Sequence, residues 1–214
     1  EGRAISTLQV SNPLVPDDAV SIEQDLSVVD IKHKRTAIVA AYMNDGHITP
    51  ALIYYLKEIR TVADNVILVG DCPIFIEELQ KLDNLVSYVM FKRHKEYDFG
   101  SYKRGVRVAR ERGWLNCDIC SELILVNDSC YGPIFPLKNS FDYMAQSNCD
   151  FWGFSQYNWM EHRHIQSYFY CFRAPVVNSG LVDNFLEEHA HWQDRGKIVT
   201  QCEMPFTQFL CDAG

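Results

Sequence analysis

Apolar residues along the chain fall into short continuous runs that alternate with segments in which they recur at about every third or fourth position. The short runs predict buried strands, and the periodic segments predict helices with one apolar face. Strands are predicted at residues 36–43, 65–71, 84–91, 122–127 and 150–154. Helices are predicted at residues 48–60, 74–82, 101–113 and 137–147. This alternation predicts an α/β fold with a mainly parallel central sheet and helices on both faces.

The alternation breaks in the last third of the chain. Residues 164–173 predict one further strand, and residues 177–192 predict a helix. Residues 198–214 predict a strand around Glu203 that becomes helical after Pro205. We expect these parts to pack on one edge of the sheet and to close one side of a pocket. Residues 1–35 lack a regular pattern and are interpreted as a lead-in arm.

Composition narrows the class of protein. The 214 residues are 47% hydrophobic, which is enough for one substantial core. The formal net charge of -8 disfavours a general nucleic-acid binder, so no nucleic-acid partner is expected. Eight cysteines, several of them in apolar runs, fit thiols in a reducing cytosol. No apolar run reaches the length of a transmembrane helix, and a cytoplasmic location is predicted.

Polar side chains follow the predicted strands at the points where the strands end. In a parallel sheet the carboxyl ends of the strands form the ligand crevice, so these positions are the candidate site. They are Tyr42, Asn44, Asp45, Asp71, the segment 92–100, Asn127, Asp128 and Ser129. The sequence contains neither a P-loop nor a dinucleotide-binding glycine motif, so the strand ends themselves must carry the site.

Five segments, taken in order, resemble one known family. They are residues 96–106, 123–137, 150–154, 164–173 and 201–214. They resemble the rhamnan synthesis protein F family, which are glycosyltransferase-like proteins of bacterial surface-polysaccharide assembly. The resemblance covers residues 36–214 and implies one GT-A-like domain of the nucleotide-diphospho-sugar transferase type. Its nucleotide-sugar half is expected at about 36–130 and its acceptor half at about 131–214.

The resemblance implies that the first two strand ends bind the nucleotide of a sugar donor. Tyr42, Asn44 and Asp45 match the end of the first strand in GT-A enzymes. Asp71 matches the aspartate that accepts a hydrogen bond from the ring N–H of the base. The alternative for Asp71 is a turn-forming residue before Pro73.

The segment before the third predicted helix is expected to meet the donor diphosphate. Asp98, Gly100 and Lys103 are the candidates. A glycine permits close backbone approach, free amides at a helix start attract anions, and a lysine adds positive charge. The alternative for Asp98 is a helix N-cap, and both roles are compatible. The basic residues 92–95 are interpreted as a solvated loop.

Asp128 lies where GT-A enzymes carry an Asp-x-Asp motif that holds a divalent metal ion on the diphosphate. Only the middle carboxylate is present, between the donor-binding candidates Asn127 and Ser129. Asp128 is therefore a candidate ligand of Mg²⁺ or Mn²⁺, and metal dependence is left open. The alternatives are a contact to the donor sugar or ribose, and an Asx-turn leading into Gly132.

Transfer with inversion requires a general base that takes the proton of the acceptor hydroxyl. Glu203 is the candidate, because the resemblance implies an acid near the carboxyl end and because this Glu stands in an apolar segment. Burial there makes a carboxylate a better proton acceptor. His164 is the rival base. Candidates for contact with sugar hydroxyls and ring faces are Gln166, Ser167, Tyr168 and Trp152.

The sequence thus predicts a glycosyltransferase that moves a sugar from a nucleotide-diphosphate donor to a saccharide or lipid-linked saccharide. By the resemblance the donor is dTDP-rhamnose, and the protein works at the inner face of the cytoplasmic membrane, with peripheral membrane association. The alternative from another class is a non-catalytic domain that binds a glycan or nucleotide sugar, which the incomplete Asp-x-Asp motif favours. A nucleotidyltransferase is a second alternative, but only Gly46 of the glycine-rich loop it requires is present.

Overall fold

The computed structural model describes residues 18–26, 34–159 and 162–213. The strands are β1 (Ile22–Asp25), β2 (Arg35–Ala41), β3 (Asn65–Gly70), β4 (Tyr88–Phe91), β5 (Glu122–Asn127), β6 (Phe151–Trp152), β7 (Gln156–Trp159), β8 (His162–Ile165) and β9 (Phe169–Arg173). The helices are α1 (Pro50–Arg60), α2 (Tyr97–Glu111), α3 (Leu137–Met144), α4 (Ala174–Ser179), α5 (Leu181–His189), α6 (Arg195–Ile198) and α7 (Met204–Asp212). A 3-10 helix spans Ile76–Leu82, and a π-helical turn spans Val199–Glu203.

Seven strands form one sheet in the order β1-β4-β3-β2-β5-β9-β6, and β7 and β8 form a separate hairpin. The central strands β4, β3, β2 and β5 are parallel. However, β1, β9 and β6 each pair with their neighbour in antiparallel orientation. The sheet is therefore mixed, and the prediction of a mainly parallel sheet was wrong. A short turn connects β8 to β9, with no helix between them. A parallel pairing needs a crossover connection, and β9 pairs with β5 in antiparallel orientation instead.

Helices cover both faces of the sheet, as predicted. Successive residues of a strand point to opposite faces, so Ala37 and Val39 face one core while Ile38 and Ala40 face the other. The first core is covered by α1, the 3-10 helix and α3, and the second by α2 and α4 to α7. This layered arrangement leaves the carboxyl ends of β2, β3, β4 and β5 along one edge.

Two helices show how the sequence builds these layers. The Thr49 side chain accepts a hydrogen bond from Leu52 N at 3.1 Å, and Pro50 occupies the first turn of α1. Helix α2 lies close to β2 because Gly105 has no side chain. A Cβ there would lie 2.3 Å from Ile38 Cγ2. The start of α2 at Tyr97 is four residues earlier than predicted, so the candidates before that helix lie in its first turn.

The last third of the chain differs most from the prediction. The single strand predicted at 164–173 is two strands, β8 and β9, separated by a turn. The helix predicted at 177–192 is interrupted by Gly180, whose φ of 74° ends α4. The strand predicted around Glu203 is wrong, because α6, the π-helical turn and α7 form one helical path. Its buried residues recur at every fourth position, at Ile198, Cys202, Phe206 and Leu210.

Other boundaries differ less. The strand predicted at 84–91 is confined to β4, and the one at 150–154 to β6. The helix predicted at 74–82 is a 3-10 helix. Strand β1 belongs to the segment interpreted as a lead-in arm, and it pairs with β4 at one edge of the sheet. The rest of that segment lies mostly outside the described residues. Over the described ranges, no helix combines the length and apolarity that crossing a bilayer requires.

Candidate functional site at the carboxyl ends of the strands

Hydrogen bonds tie together the ends of three parallel strands. Tyr42 N donates to Asp128 Oδ2 at 3.0 Å, which joins the end of β2 to the end of β5. Asp128 N donates to Ala40 O at 3.1 Å, and Asp71 N donates to Ala41 O at 3.0 Å. Polar residues that are distant in the sequence therefore meet at one edge, as the strand alternation predicted.

A second set of contacts joins β5 to the start of α2. Asn127 Nδ2 donates to Asp98 Oδ2 at 2.9 Å. The other side-chain atom of Asn127, Oδ1, accepts from Ser129 N at 3.1 Å and from Ser129 Oγ. Asn127 is buried, and its Nδ2 holds the end of β5 to the first turn of α2, while its Oδ1 holds the turn that follows.

The same contacts extend into the last third of the chain. Ser167 Oγ donates to Glu203 Oε2 at 2.8 Å, and Glu203 Oε1 lies 3.4 Å from His164 Nε2. Ser167 also shares a hydrogen bond with Asp98. We call this set the Asp98–Glu203 network; its members are Asp98, Asn127, Ser129, His164, Ser167 and Glu203. All of them are candidates from the sequence, and they come from four separate segments.

The two carboxyl groups of the network differ in their surroundings. Burial of its carboxyl group raises the pKa of Asp98, and the hydrogen bonds that the group makes offset only part of this rise. The negative charge of Glu203 raises the pKa of Asp98 further. Asp98 therefore keeps its proton to higher pH than an ordinary aspartate.

Ser167 lies between the two carboxyl groups. Its Oγ donates to Glu203 Oε2, and its hydrogen bond with Asp98 lowers the pKa of Asp98 by less than burial raises it. The network thus connects the two acids through one hydroxyl.

Asp71 organises the loop that follows β4. Its Oδ1 accepts from His94 N at 2.6 Å and from Lys95 N at 2.8 Å, and only 6% of the residue is exposed. The role of Asp71 as an acceptor from a nucleotide base stays a prediction; its Oδ1 has two protein partners in this loop. The loop is strained, since Lys95 and Tyr97 have φ of 65° and 56°, and such residues are frequent at functional sites.

His94 and Gly100 fasten this loop to α2. His94 Nδ1 accepts from Glu96 N at 3.1 Å, so Nε2 carries the hydrogen and contacts Ser101 Oγ at 3.0 Å. Burial lowers the pKa of His94 to about 4, which keeps the ring neutral. A Cβ on Gly100 would lie 2.3 Å from Glu96 Cβ. The close approach that this glycine allows is therefore to the loop. His94 was interpreted as solvated, and that was wrong.

Lys103 does not reach the network. It is buried, its Nζ donates to Ala190 O, and it lies 3.5 Å from Glu96 Oε2. Burial would raise the pKa of Glu96, but the hydrogen bond from Arg104, at 2.5 Å, and the charge of Lys103 hold it below its usual value. Lys103 thus joins α2 to Ala190, the residue that follows α5.

The four candidates for sugar contacts lie in different surroundings, and only one of them belongs to the network. Ser167 belongs to the network, whereas Gln166 Oε1 accepts from Ser155 Oγ at 2.6 Å. Tyr168 is half-buried against the core, and its carbonyl accepts from Asn127 N at 3.3 Å. Trp152 is 5% exposed and packs on Phe141, Phe154 and Phe169, so it has no face free for a sugar.

The turn after β2 remains open to solvent. Asn44 and Asp45 are exposed, and Asp45 Oδ1 accepts from His47 N at 3.1 Å, which closes the turn locally. Two surface concavities lie elsewhere, one of about 200 Å³ between α2 and α5 and one of about 590 Å³ beside the start of α1. Neither is lined by a residue of the Asp98–Glu203 network.

The residues around Asp128 do not form a metal site by themselves. Across the described part of the chain, no three His, Cys, Asp or Glu side chains are close enough together to hold a metal ion. Asp128 Oδ2 accepts from Tyr42 N, while Asn127 and Ser129 bond to each other. Although Asp128 as a residue is exposed, partial burial of its carboxyl group raises the pKa of Asp128. The protein thus offers one carboxylate, where a resident Mg²⁺ takes several oxygen ligands.

The sequence did not single out Arg93, because the basic run at 92–95 was interpreted as a solvated loop. Its guanidinium Cζ lies 5.0 Å from the centroid of the Tyr42 ring, at the ends of β4 and β2. The signal was present in the basic run at 92–95. Because it lies directly after a parallel strand, the run was a candidate for the site as well as for the surface.

Comparison with known proteins adds a family. The model of the family described as rhamnan synthesis protein F matches residues 66–214, which is more than half of the chain. An uncharacterized protein, y4gN, of Sinorhizobium fredii is 22% identical over 175 residues, covering 80% of this chain and 44% of that protein. The virulence protein VirA of Vibrio anguillarum is 27% identical over 124 residues, covering 55% of this chain and 37% of that protein. The chain thus spans less than half the length of either relative. No solved structure matches the chain.

Proposed function

The chain belongs to the rhamnan synthesis protein F family, and from this premise we propose that it is a glycosyltransferase of polysaccharide synthesis. It moves a sugar, rhamnose from dTDP-rhamnose, to a saccharide or lipid-linked saccharide acceptor. It does so with a GT-A-like domain at the inner face of the cytoplasmic membrane. The family assignment supports the polysaccharide role, and the geometry of the strand ends supports the transfer.

The Asp98–Glu203 network carries the proposal. Glu203 comes from the last helical segment of the chain, yet it bonds to Ser167 beside the end of β5. An acid and a histidine at the carboxyl edge of a parallel set of strands are placed where a bound substrate would be. A transferase needs such polar side chains from separate segments to meet at one place. The packing of an apolar core does not require them.

The chemical step follows from these positions. The oxygen of the acceptor hydroxyl attacks the anomeric carbon of the donor, and its proton passes to Glu203. The bond from that carbon to the diphosphate breaks, and its electron pair leaves with the diphosphate. Ser167 donates to one oxygen of Glu203, so the other oxygen, 3.4 Å from His164, is the one that accepts the proton. His164 orients Glu203 and the acceptor.

The direct test is replacement of Glu203 by Gln. The amide cannot take a proton, so E203Q should lower the release of nucleotide diphosphate from dTDP-rhamnose about 100-fold or more in the presence of a rhamnan acceptor. Donor binding, measured by calorimetry, should stay within about twofold, because Glu203 acts on the acceptor.

The matched control is E188Q on α5, where the acid is 75% exposed and lies outside the network. It should release nucleotide at the wild-type rate. Turnover by E203Q equal to that of E188Q would show that Glu203 is not the base. The variant H164N would then be examined as the base in its place.

A second candidate function is a domain that binds a glycan or nucleotide sugar without turnover. The single carboxylate at Asp128 favours it, since no set of metal-ligating side chains is found there among the described residues. Binding of dTDP-rhamnose, with no nucleotide released under any metal condition by the wild-type protein, would establish this alternative and exclude the transferase.

A further inference from the structure

Arg93 is held in one orientation at the ends of β4 and β2. Its Nη1 donates to Asp71 O at 2.7 Å, and its guanidinium lies over the Tyr42 ring. A planar guanidinium fixed by a carbonyl on one side and a ring on the other loses little further freedom when it binds an anion. Asp71, which anchors the main chain of His94 and Lys95, therefore also fixes the side chain before them.

Most of the donors of Arg93 are free to bind a ligand. Its side chain is 44% exposed, and Tyr42 beneath it is 47% exposed. Within the described ranges, Nη1 is the only one of its nitrogens with a protein hydrogen bond. Asp71 Oδ2 lies 3.6 Å from Nη1, which is an ion pair with the same nitrogen and leaves Nε and Nη2 available. The guanidinium thus presents N–H groups in the fork geometry that matches phosphate oxygens.

The side chains around Arg93 are acidic, so an anionic ligand at this edge needs the positive charge of Arg93. Asp45 and Asp128 are exposed on the same edge, and Tyr42 joins Asp128 to Arg93 through its main-chain N–H and its ring. A diphosphate that approaches these acids needs a positive partner. The residues around Asp128 do not supply a metal-ligand set, and Lys103 is engaged with Ala190.

We infer that Arg93, seated on Tyr42 and the main chain of Asp71, binds the diphosphate of the nucleotide donor. This inference rests on the proposed function. Arg93 then supplies at this edge the charge that a divalent ion supplies in transferases with a complete Asp-x-Asp motif. As the bond between sugar and diphosphate breaks, the electron pair goes to the diphosphate oxygen, and the N–H groups of Arg93 stabilise it.

The test measures binding of thymidine diphosphate by calorimetry in EDTA. Wild type should bind without metal, and R93A should weaken binding about 10- to 100-fold, the size of a charge-assisted contact. R93Q keeps a long polar side chain but removes its charge, so its affinity for thymidine diphosphate should fall by about the same factor as that of R93A. Thymidine alone should bind wild type and R93A equally, because it has no phosphate.

The matched control is K92A, which removes one positive charge from the same loop without touching Tyr42 or Asp71. It should change affinity less than about threefold, as a solvated charge does. Thermal unfolding of each variant checks that the fold is intact, and R93Q provides the comparison if R93A does not fold.

Three results would overturn the inference. Equal affinities of R93A and K92A would remove Arg93 from the site while leaving the proposed function standing. A wild-type protein that binds thymidine diphosphate only with Mg²⁺ would assign the charge to the metal. A wild-type protein that binds neither thymidine nor uridine diphosphate in any condition would contradict the proposed function as well.

Discussion

At the scale of single residues, the site separates two carboxyl groups that are connected by one hydroxyl. Asp98 is pushed toward its neutral form by burial and by the charge of Glu203. Glu203 accepts a hydrogen bond from Ser167 and lies beside His164. The two acids therefore have different surroundings, and Glu203 is the one that the proposed function uses as the base.

Replacing Asp98 by Asn should stabilise the folded protein at neutral pH. Because its pKa is raised on folding, the folded state keeps a proton that the unfolded chain releases, and the free energy of unfolding falls as pH rises from the unfolded to the folded pKa. An amide removes that loss and can still accept from Asn127. The thermal midpoint of D98N should exceed that of wild type at pH 7, and the difference should vanish near pH 3.

The control for this prediction is D118N, at an exposed acid outside the network. Its midpoint should follow that of wild type at both pH values. A lower unfolding temperature of D98N than of wild type at pH 7 would contradict a raised pKa of Asp98 in the folded state.

At the scale of elements, the position of α2 decides the site. This helix carries Asp98 in its first turn, contacts β2 through Gly105, and receives the loop from β4 at Gly100. A shift of the helix away from the sheet would separate Asp98 from Asn127, whose atoms are 2.9 Å apart. The glycines therefore act on the site through packing.

Replacing Gly105 by Ala tests this packing. The new Cβ would lie 2.3 Å from Ile38 Cγ2, and Ile38 is fully buried, so the helix or the strand must move. Such overpacking should lower the free energy of unfolding by about 1–3 kcal/mol, measured by urea titration. G196A on the exposed helix α6, where the nearest atom is Asp194 Oδ1 at 3.3 Å, is the comparison and should not destabilise. Equal stabilities of the two variants would show that α2 has room at Gly105.

At the scale of the whole molecule, the segment after β5 presents apolar side chains beside the site. Tyr131, Ile134 and Phe135 are 93%, 88% and 75% exposed. Large apolar side chains that are exposed next to one another are unusual on a protein surface, and they support the proposed association with a membrane. The net charge of -8 opposes binding to anionic lipids, so the association would rest on these side chains.

Association with a membrane can be measured by co-sedimentation with neutral phosphatidylcholine vesicles. The double variant I134D/F135D should lower the partition coefficient about 100-fold or more, because each large apolar side chain contributes about 1.5–3 kcal/mol on burial. I76D changes a residue that is 66% exposed on the 3-10 helix, outside this segment, and should bind as wild type does. Equal binding of the two variants, or none by wild type, would remove the membrane from the proposed function.

The apolar periodicity of the sequence was sufficient to predict the layers of helices around the sheet and the edge of the sheet at which the candidate site lies. Continuous apolar runs predicted β2, β3 and β5, since such runs are stable only when both faces of a strand are covered. It failed around Glu203, because the apolar positions of a short segment fit a strand and a helix equally well. Only the spacing of four residues between Ile198, Cys202, Phe206 and Leu210 indicates the helix that forms there.

The sequence by itself determined the alternating layers, the polar strand ends and the membership of the family. Only the tertiary structure decided that Ser167 bridges Asp98 and Glu203, that Lys103 turns to Ala190, and that Arg93 lies on Tyr42. The physical reason is that apolar periodicity records whether a residue is buried. The partner of a polar side chain depends on which segments the fold brings within about 3 Å of each other.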